Sequence, residues 1–248
     1  MPNPFTLILP FYRQPTMLTL QLAELNQYPP EVQVILVDDG SPEPAEPVVL
    51  EQATPELLRH LRLYRVLVDV PWARGTARNL GASKAETAYT LQTDLDHVLP
   101  ASCVPALLNF VPEPGYWYRL LRYRKGTADA TRRKDDLSPQ ADFGLIKPHN
   151  DSYLIQRDLF LSSPYDEDYN GCLGGGTPFL HRMEKRAPVG VLPDPICLHV
   201  YTRSLVPDAS IQDLSRDTSE YVRRRKEKER TGNTEPKNII RLPWERVL

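Results

Sequence analysis

Four short apolar runs in the first hundred residues each end at proline, aspartate or a turn-forming cluster, and segments of helical period separate them. That alternation restricts the chain to few architectures. Phe5 to Leu9 is a short apolar run stopped by Pro10 and reads as a buried strand. Leu18, Leu22 and Leu25 then fall on one helical face within Thr16 to Gln27. Val32 to Val37 is β-branched and runs into Asp38-Asp39-Gly40-Ser41, a cluster that favours a turn. Glu56 to Leu61 has helical character, Leu63 to Val68 that of a strand, Arg74 to Ala85 is a small-residue helix, and Ala88 to Thr93 is a strand that ends at Asp94. Strands alternating with helices predict an α/β fold whose mainly parallel, Rossmann-like sheet is covered by helices on both faces. In such sheets ligands bind beyond the carboxyl ends of the strands. The residues to inspect are therefore Pro10 to Arg13, Asp38 to Ser41, Asp69 to Arg78 and Asp94 to Asp96.

Beyond Pro112 the pattern loosens. Tyr116 to Arg122 reads as a strand, Arg122 to Pro139 as a charged loop or lid, and Arg157 to Leu161 and Thr177 to Lys185 as short helices. Ile196 to Tyr201 is a last strand, followed by a charged helix near Ser210 to Arg230 and a tail carrying Ile239, Ile240 and Trp244. The expected organisation is one domain over residues 1–205, with a nucleotide half at 1–111 and an acceptor half at 112–205, and a C-terminal helix and tail at 206–248 that wraps the body. Twenty-five prolines scattered among apolar segments indicate short, defined turns rather than disorder.

Composition excludes several classes. A net charge of −2 argues against a general polyanion binder. No apolar run approaches the ~18 residues of a membrane span. The Met1-Pro2-Asn3-Pro4 start lacks a secretory n-region, which makes the cytoplasm the expected location. Three widely spaced cysteines, Cys103, Cys172 and Cys197, suggest neither a zinc site nor a disulfide framework.

Three segments at strand ends carry chemistry. Asp94-Leu95-Asp96 presents two carboxylates to one side of a strand end, where one can reach a divalent ion and the other a water or a ribose. Mg²⁺ and Mn²⁺ are hard ions that share carboxylate oxygens with substrate phosphates, and such an ion offsets charge on a departing nucleoside diphosphate. The plain alternative is a solvated acidic turn. Asp38 and Asp39 can accept from a base or from ribose hydroxyls, or cap the turn as an Asx motif. Arg74-Gly75-Thr76-Ala77-Arg78-Asn79-Leu80-Gly81 opens a helix with two arginines on its first turn, a natural diphosphate site, or else a solvated surface helix.

In this order and spacing, Pro10-Phe11-Tyr12, Val37-Asp38-Asp39-Gly40-Ser41, Ala77-Arg78-Asn79-Leu80-Gly81 and Asp94-Leu95-Asp96 resemble the family 2 glycosyltransferases of the GT-A fold. The resemblance implies a nucleoside-diphosphate-sugar donor, with a UDP-sugar the first to expect, and inverting transfer to a hydroxyl. Pro10 and Tyr12 would then lie beside the nucleotide, Asp38 or Asp39 would bind base or ribose, and Arg74, Arg78 and Asp94 would approach the donor. Asp94 and Asp96 would hold Mn²⁺ or Mg²⁺, joined by a late histidine, His199; His97 is a second candidate. Family members usually continue with a glycine-rich turn, an acidic pair that supplies the general base, and a helix ending near an arginine. Here the turn is Gly174-Gly175-Gly176-Thr177-Pro178, the helix includes Phe179 and Arg182, and the acidic pair is absent. Asp166, Glu167 and Asp168 are the nearest replacements, and a solvated turn is the plain alternative for them.

The cations from Arg119 to Lys134 suit an anionic acceptor or a solvated loop. Aromatic interleaving is confined to Tyr116 to Tyr123, too little to support a nucleic-acid acceptor. Two other classes compete with transfer. A catalytically silent nucleotide-sugar or glycan-binding protein fits the missing acidic pair. A nucleotidyltransferase would need a glycine-rich loop after the first strand, which Pro10-Phe11-Tyr12-Arg13-Gln14-Pro15 is not.

Overall fold

The computed structural model describes residues 3–125, 143–148, 150–201, 206–208 and 218–248. In chain order the elements are β1 (Phe5–Phe11), α1 (Pro15–Leu25), β2 (Val32–Asp38), α2 (Glu46–Gln52), α3 (Pro55–His60), β3 (Leu61–Val66), α4 (Arg74–Lys84), β4 (Tyr89–Gln92), β5 (His97–Val98) and α5 (Val104–Asn109). There follow β6 (Trp117–Arg119), β7 (Leu121–Lys125), β8 (Phe143–Ile146), β9 (Tyr153–Gln156), α6 (Arg157–Ser162), α7 (Gly176–Arg186), β10 (Val189–Val191), β11 (Cys197–Val200), α8 (Ser219–Thr231) and β12 (Trp244–Arg246). Eight strands form one sheet in the order β10-β6-β9-β4-β1-β2-β3-β12, and four form a second in the order β5-β11-β7-β8.

The large sheet follows from side-chain period. On β1, alternate residues face opposite sides: Phe5, Leu7 and Leu9 pack with Met17, Leu18, Leu22 and Leu25 of α1, whereas Ile8 packs with Ala77 and Leu80 of α4. Both faces are covered, so β1 and β2 carry mainly apolar runs, broken by Thr6 and Gln33, rather than an alternation. The pairs β1–β2, β2–β3 and β1–β4 are parallel, which brings the carboxyl ends of β1, β2 and β4 to one edge. β9 then inserts antiparallel between β4 and β6.

The expected α/β sheet is present, with several boundaries moved. β1 does not stop at Pro10 but runs to Phe11. Its pairing with β4 ends at Ile8, so beyond that point only the β2 side needs backbone donors, and a proline is tolerated. The strand expected over Tyr116 to Arg122 divides at the buried Leu120 into β6 in the large sheet and β7 in the small one. The charged loop expected from Arg122 begins too early, since Arg122 to Lys125 lie in β7, while residues 126–142 fall outside the described residues. The charged C-terminal helix is observed as Ser219–Thr231, and the part of the expectation over residues 209–217 is also outside them. The tail reaches back to the body, where β12 pairs antiparallel with β3 at the sheet edge. Among the described residues, no helix is long and apolar enough to cross a membrane.

The turn after β2 depends on one residue. Gly40 has φ of 71°, and a Cβ placed there would lie 2.2 Å from the Val68 carbonyl oxygen. Gly40→Ala adds left-handed strain to a collision with backbone, so it should destabilise the protein by about 2–4 kcal/mol. Urea unfolding measures this; a loss within experimental error would show that the turn has another low-energy path.

Candidate active site

The edge formed by the ends of β1, β2 and β4 collects the polar residues that the apolar strands exclude. Asp38 is almost fully buried, and both its oxygens are used locally. Oδ1 accepts from the Ser41 N–H at 2.8 Å and Oδ2 from the Ala45 N–H at 3.0 Å. Burial raises its pKa, against the lowering effect of these N–H groups and of Arg65. Asp38 is thus the Asx cap of the turn. Asp39 has a different setting. Its N–H donates to the Phe11 carbonyl, and its carboxylate is buried with one oxygen lacking a hydrogen-bond partner. Burial, reinforced by Asp38, Asp69 and Glu167, pushes its pKa well up, with Arg74 opposing.

At the end of β1, Pro10 is half-buried, and the Tyr12 hydroxyl donates to Asp69 Oδ1 at 2.8 Å. Burial and this bond to Asp69 push the phenol up to about 12. Arg13 pairs with the other Asp69 oxygen at 3.2 Å and lies over the Tyr12 ring.

Asp94, just past β4, is gripped by α4. Arg78 Nη2 donates to Asp94 Oδ1 at 2.6 Å, and Arg74 Nη1 lies 3.6 Å from Oδ2. The Arg78 side chain has no exposed surface. Its Nη1 donates to the Asp151 carbonyl at 2.6 Å and to the Tyr165 hydroxyl at 3.1 Å. Arg78 therefore sits behind Asp94 rather than beside the space where a donor would lie. Arg74, 28% exposed, is the arginine at the surface of the cleft. Burial works against the charge of both guanidiniums, yet their pKa values are raised. Asp151 and Asp94 outweigh burial at Arg74, and Tyr165 and Asp94 lead at Arg78.

Asp96 Oδ1 lies 2.8 Å from His97 Nδ1, and Arg122 Nη1 lies 2.9 Å from His97 Nε2. Because arginine can only donate, Nε2 accepts and Nδ1 is left to donate to Asp96. Ligand atoms of Asp94, Asp96 and His97 lie within 4.8 Å of one another. The two carboxylates match the donor preferences of Mn²⁺ and Mg²⁺, and the imidazole, through its Nδ1–H, orients the Asp96 carboxylate behind them. His199 is not one of these three. It lies on β11 opposite Val98, two residues before Tyr201, whose N–H donates to the Asp96 carbonyl. His199 thus borders the strand that supports the cluster, and the histidine adjacent to Asp96 completes the group.

The acidic run expected near the acceptor is held by the C-terminal segment. Asp166 Oδ2 and Asp168 Oδ2 both pair with Lys228 Nζ of α8, at 2.8 and 2.7 Å, and Asp168 Oδ1 pairs with Arg241 at 2.7 Å. Glu167 accepts from Asn79 Nδ2 at 3.0 Å and from the N–H groups of Ile240 and Arg241. Burial raises the Asp168 pKa, but Lys228 and Arg241 outweigh it and hold the carboxyl below its ordinary value. All three carboxylates are committed to docking α8 and the tail, an arrangement unlike a base facing an acceptor.

Two residues with no sequence motif also belong to the site. Asp151 pairs with Arg74 Nη2 at 2.7 Å, and Tyr165 stacks on Phe179, with ring centroids 4.4 Å apart, while accepting from Arg78. The only signal for Asp151 was an acidic residue ahead of the short apolar run Tyr153-Leu154-Ile155.

A mainly parallel sheet with carboxylates at the ends of β2 and β4, an acidic cluster after β4 and an antiparallel strand beside it are features of the GT-A fold. The sequence matches the family described as "Glycosyl transferase family 2" over residues 6–173. The chain belongs to that family. Solved structures agree in fold. The structure of S. aureus TarS residues 1–349 in complex with UDP superimposes with a TM-score of 0.56 at 15% identity, covering 80% of this chain and 60% of that one. The mannosyltransferase PcManGT from Pyrobaculum calidifontis, in complex with GDP-Man and Mn²⁺, gives 0.55 at 14% identity, covering 82% and 59%. A longer S. aureus TarS structure gives 0.59 at 18% identity, covering 80% of this chain and 36% of that one. The chain thus spans about 60% of the shorter of these two TarS chains. A sequence search of curated proteins gives no match.

Arg78 links three elements from inside the core, so Arg78→Met should cost about 3 kcal/mol or more, because breaking a buried pair leaves a carboxylate short of its partner. Denaturant unfolding of both proteins measures the difference, and a loss under ~1 kcal/mol would mean that Arg74 alone secures Asp94.

Proposed function

We propose that the chain transfers a sugar from a nucleoside-diphosphate sugar to a hydroxyl acceptor, with inversion and with a divalent metal ion. The observation that carries this reading is the Asp94–Asp96–His97 group at the end of β4, on the same sheet edge as the buried carboxylate of Asp39. Asp39 has an oxygen left for a base N–H or a ribose hydroxyl, and such a donor would relieve its burial. Pro10 and Tyr12 line the same edge and would flank the nucleotide. Arg74 is the surface cation that would meet the diphosphate, while Arg78 acts one layer back by fixing Asp94. Mn²⁺ or Mg²⁺, held by Asp94 and Asp96, would stabilise negative charge on the leaving diphosphate, with His97 orienting the Asp96 carboxylate through its Nδ1–H. The TarS and PcManGT structures carry UDP and GDP-Man with Mn²⁺ respectively, which supports a nucleotide-sugar donor, with UDP-sugars the first to test. His199 would act through β11, supporting the Asp96 backbone.

A second reading, donor binding without turnover, is favoured by the commitment of Asp166, Glu167 and Asp168 to the C-terminal segment. Metal-dependent release of nucleoside diphosphate from its sugar, with water as acceptor, separates the two.

Asp96→Ala should weaken Mn²⁺-dependent UDP binding by more than about tenfold, or ~1.4 kcal/mol, and leave the melting temperature nearly unchanged. Calorimetry with UDP, with and without EDTA, is the test, followed by GDP if UDP is silent. Nucleotide affinity indifferent to both EDTA and the substitution would remove the metal from this reading.

A further inference from the structure

Inverting transfer to a hydroxyl needs a group that takes the hydroxyl proton on the side of the anomeric carbon opposite the leaving diphosphate. We propose that this group is the carboxylate of Asp151, an inference that rests on the transfer reading of the same cleft.

The sheet places Asp151 opposite Asp94. β4 and β9 are antiparallel, with Gln92 facing Tyr153. One step further, the Thr93 and Ser152 hydroxyls lie 3.3 Å apart. The next step sets Asp94 across from Asp151, and Arg74 bridges the two carboxylates, at 3.6 Å from Asp94 and 2.7 Å from Asp151. A diphosphate drawn to Asp94 and Arg74 would therefore hold its sugar close to Asp151. The ladder ends at Gln92 and Tyr153, and Arg74 holds together the two carboxylates that lie just beyond it.

The opposite wall closes on the same carboxylate. A Cβ at Gly176, the first residue of α7, would lie 2.6 Å from Asp151 Oδ1 and 3.3 Å from Arg74 Nη2. The Asp151 carboxylate thus occupies the space that a side chain at position 176 would need. The N-terminal end of α7 also favours negative charge there. The acidic pair expected at Gly175 and Gly176 is absent from the helix, and the carboxylate of Asp151, from the turn before β9, lies against that position. The other acidic residues nearby have other work: Asp38 caps its turn, and Asp166, Glu167 and Asp168 dock the C-terminal segment.

In the step itself, an Asp151 oxygen takes the proton of the acceptor hydroxyl as that oxygen bonds to the anomeric carbon. The bond from this carbon to the diphosphate oxygen breaks, and its electron pair leaves with the nucleoside diphosphate. Asp151 ends as a carboxylic acid and returns the proton to solvent.

The test uses UDP- and GDP-hexoses with Mn²⁺, water as acceptor, and release of UDP or GDP as the readout, alongside calorimetry of nucleotide binding. Asp151→Asn keeps the shape and the contact to Arg74. It should lower kcat by about 10²–10⁴-fold and leave nucleotide affinity within about threefold. Gly176→Asp alone should lower the melting temperature, because its side chain collides with Asp151. The exchange D151G/G176D should restore the melting temperature and bring kcat back above that of Asp151→Asn by at least about tenfold. A wild type that turns over while Asp151→Asn keeps its kcat overturns the assignment. So does an Asp151→Asn whose whole defect is lost nucleotide affinity, since Asp151 would then only position Arg74. A wild type that releases no nucleotide from any donor overturns the transfer reading and this assignment together.

Discussion

The buried guanidinium of Arg78 is the contact on which the arrangement of this protein depends. It cannot lose its proton in a protein, and its side chain is out of reach of water. Neutralising partners must therefore come to it, and they come from three separate parts of the chain: the Asp94 carboxylate after β4, the Asp151 carbonyl before β9, and the Tyr165 hydroxyl beyond α6. A planar fork with several donors serves this purpose better than a lysine point charge. The neighbouring Asn79 continues the stitching. Its side chain accepts from the Tyr165 N–H and donates to the Tyr165 carbonyl and to Glu167. Thr76, one turn earlier, accepts from Asn170. Helix α4 thus ties the parallel part of the large sheet to the loop that carries Tyr165, Glu167 and Asn170.

The C-terminal segment completes the same wall from outside. Lys228 and Arg224 of α8 hold Asp166, Asp168 and the carbonyls of Asp168 and Asn170. Glu167 receives the tail backbone at Ile240 and Arg241. Burial disfavours the Lys228 charge, but Asp166 and Asp168 more than offset it and raise its pKa. Just past the carboxyl end of β1, Asp208 accepts from the N–H groups of Thr16 and Met17 and so caps α1, which has no side-chain cap of its own. Segments remote in sequence therefore finish helices and loops of the first hundred residues.

Around the cleft, charges are arranged in alternating sign. Arg74 lies between the carboxylates of Asp94 and Asp151, Arg78 pairs with Asp94 from its buried side, and Asp39 stands nearby with one oxygen unsatisfied. Such a lining is prepared for a ligand that itself carries both hydroxyls and phosphates. Its polar groups are already oriented, so little reorganisation is left for the moment of binding.

Local pattern was enough for much of the fold. The mainly apolar runs at Phe5 to Leu9 and Val32 to Val37 read as strands covered on both faces, and the acidic residues after Val37 and Thr93 mark the carboxyl edge. Asp38, Asp39, Asp94 and Asp96 were legible for that reason. Pairing across the sheet was not. β9 is four residues long, too short for its period to be read, yet its register sets Asp151 against Asp94. Sequence chemistry likewise marks Arg78 as a cation near the donor, but burial decides that it supports Asp94 from behind. The acidic run at Asp166 to Asp168 looks free in one dimension because its partners, Lys228 and Arg241, lie far along the chain. Periodicity is a property of neighbours along the backbone, and it determined the strands, the helices and the edge where chemistry collects. The partner of each charge is set by contacts between distant segments, and only the tertiary structure decided which carboxylates remain for a ligand.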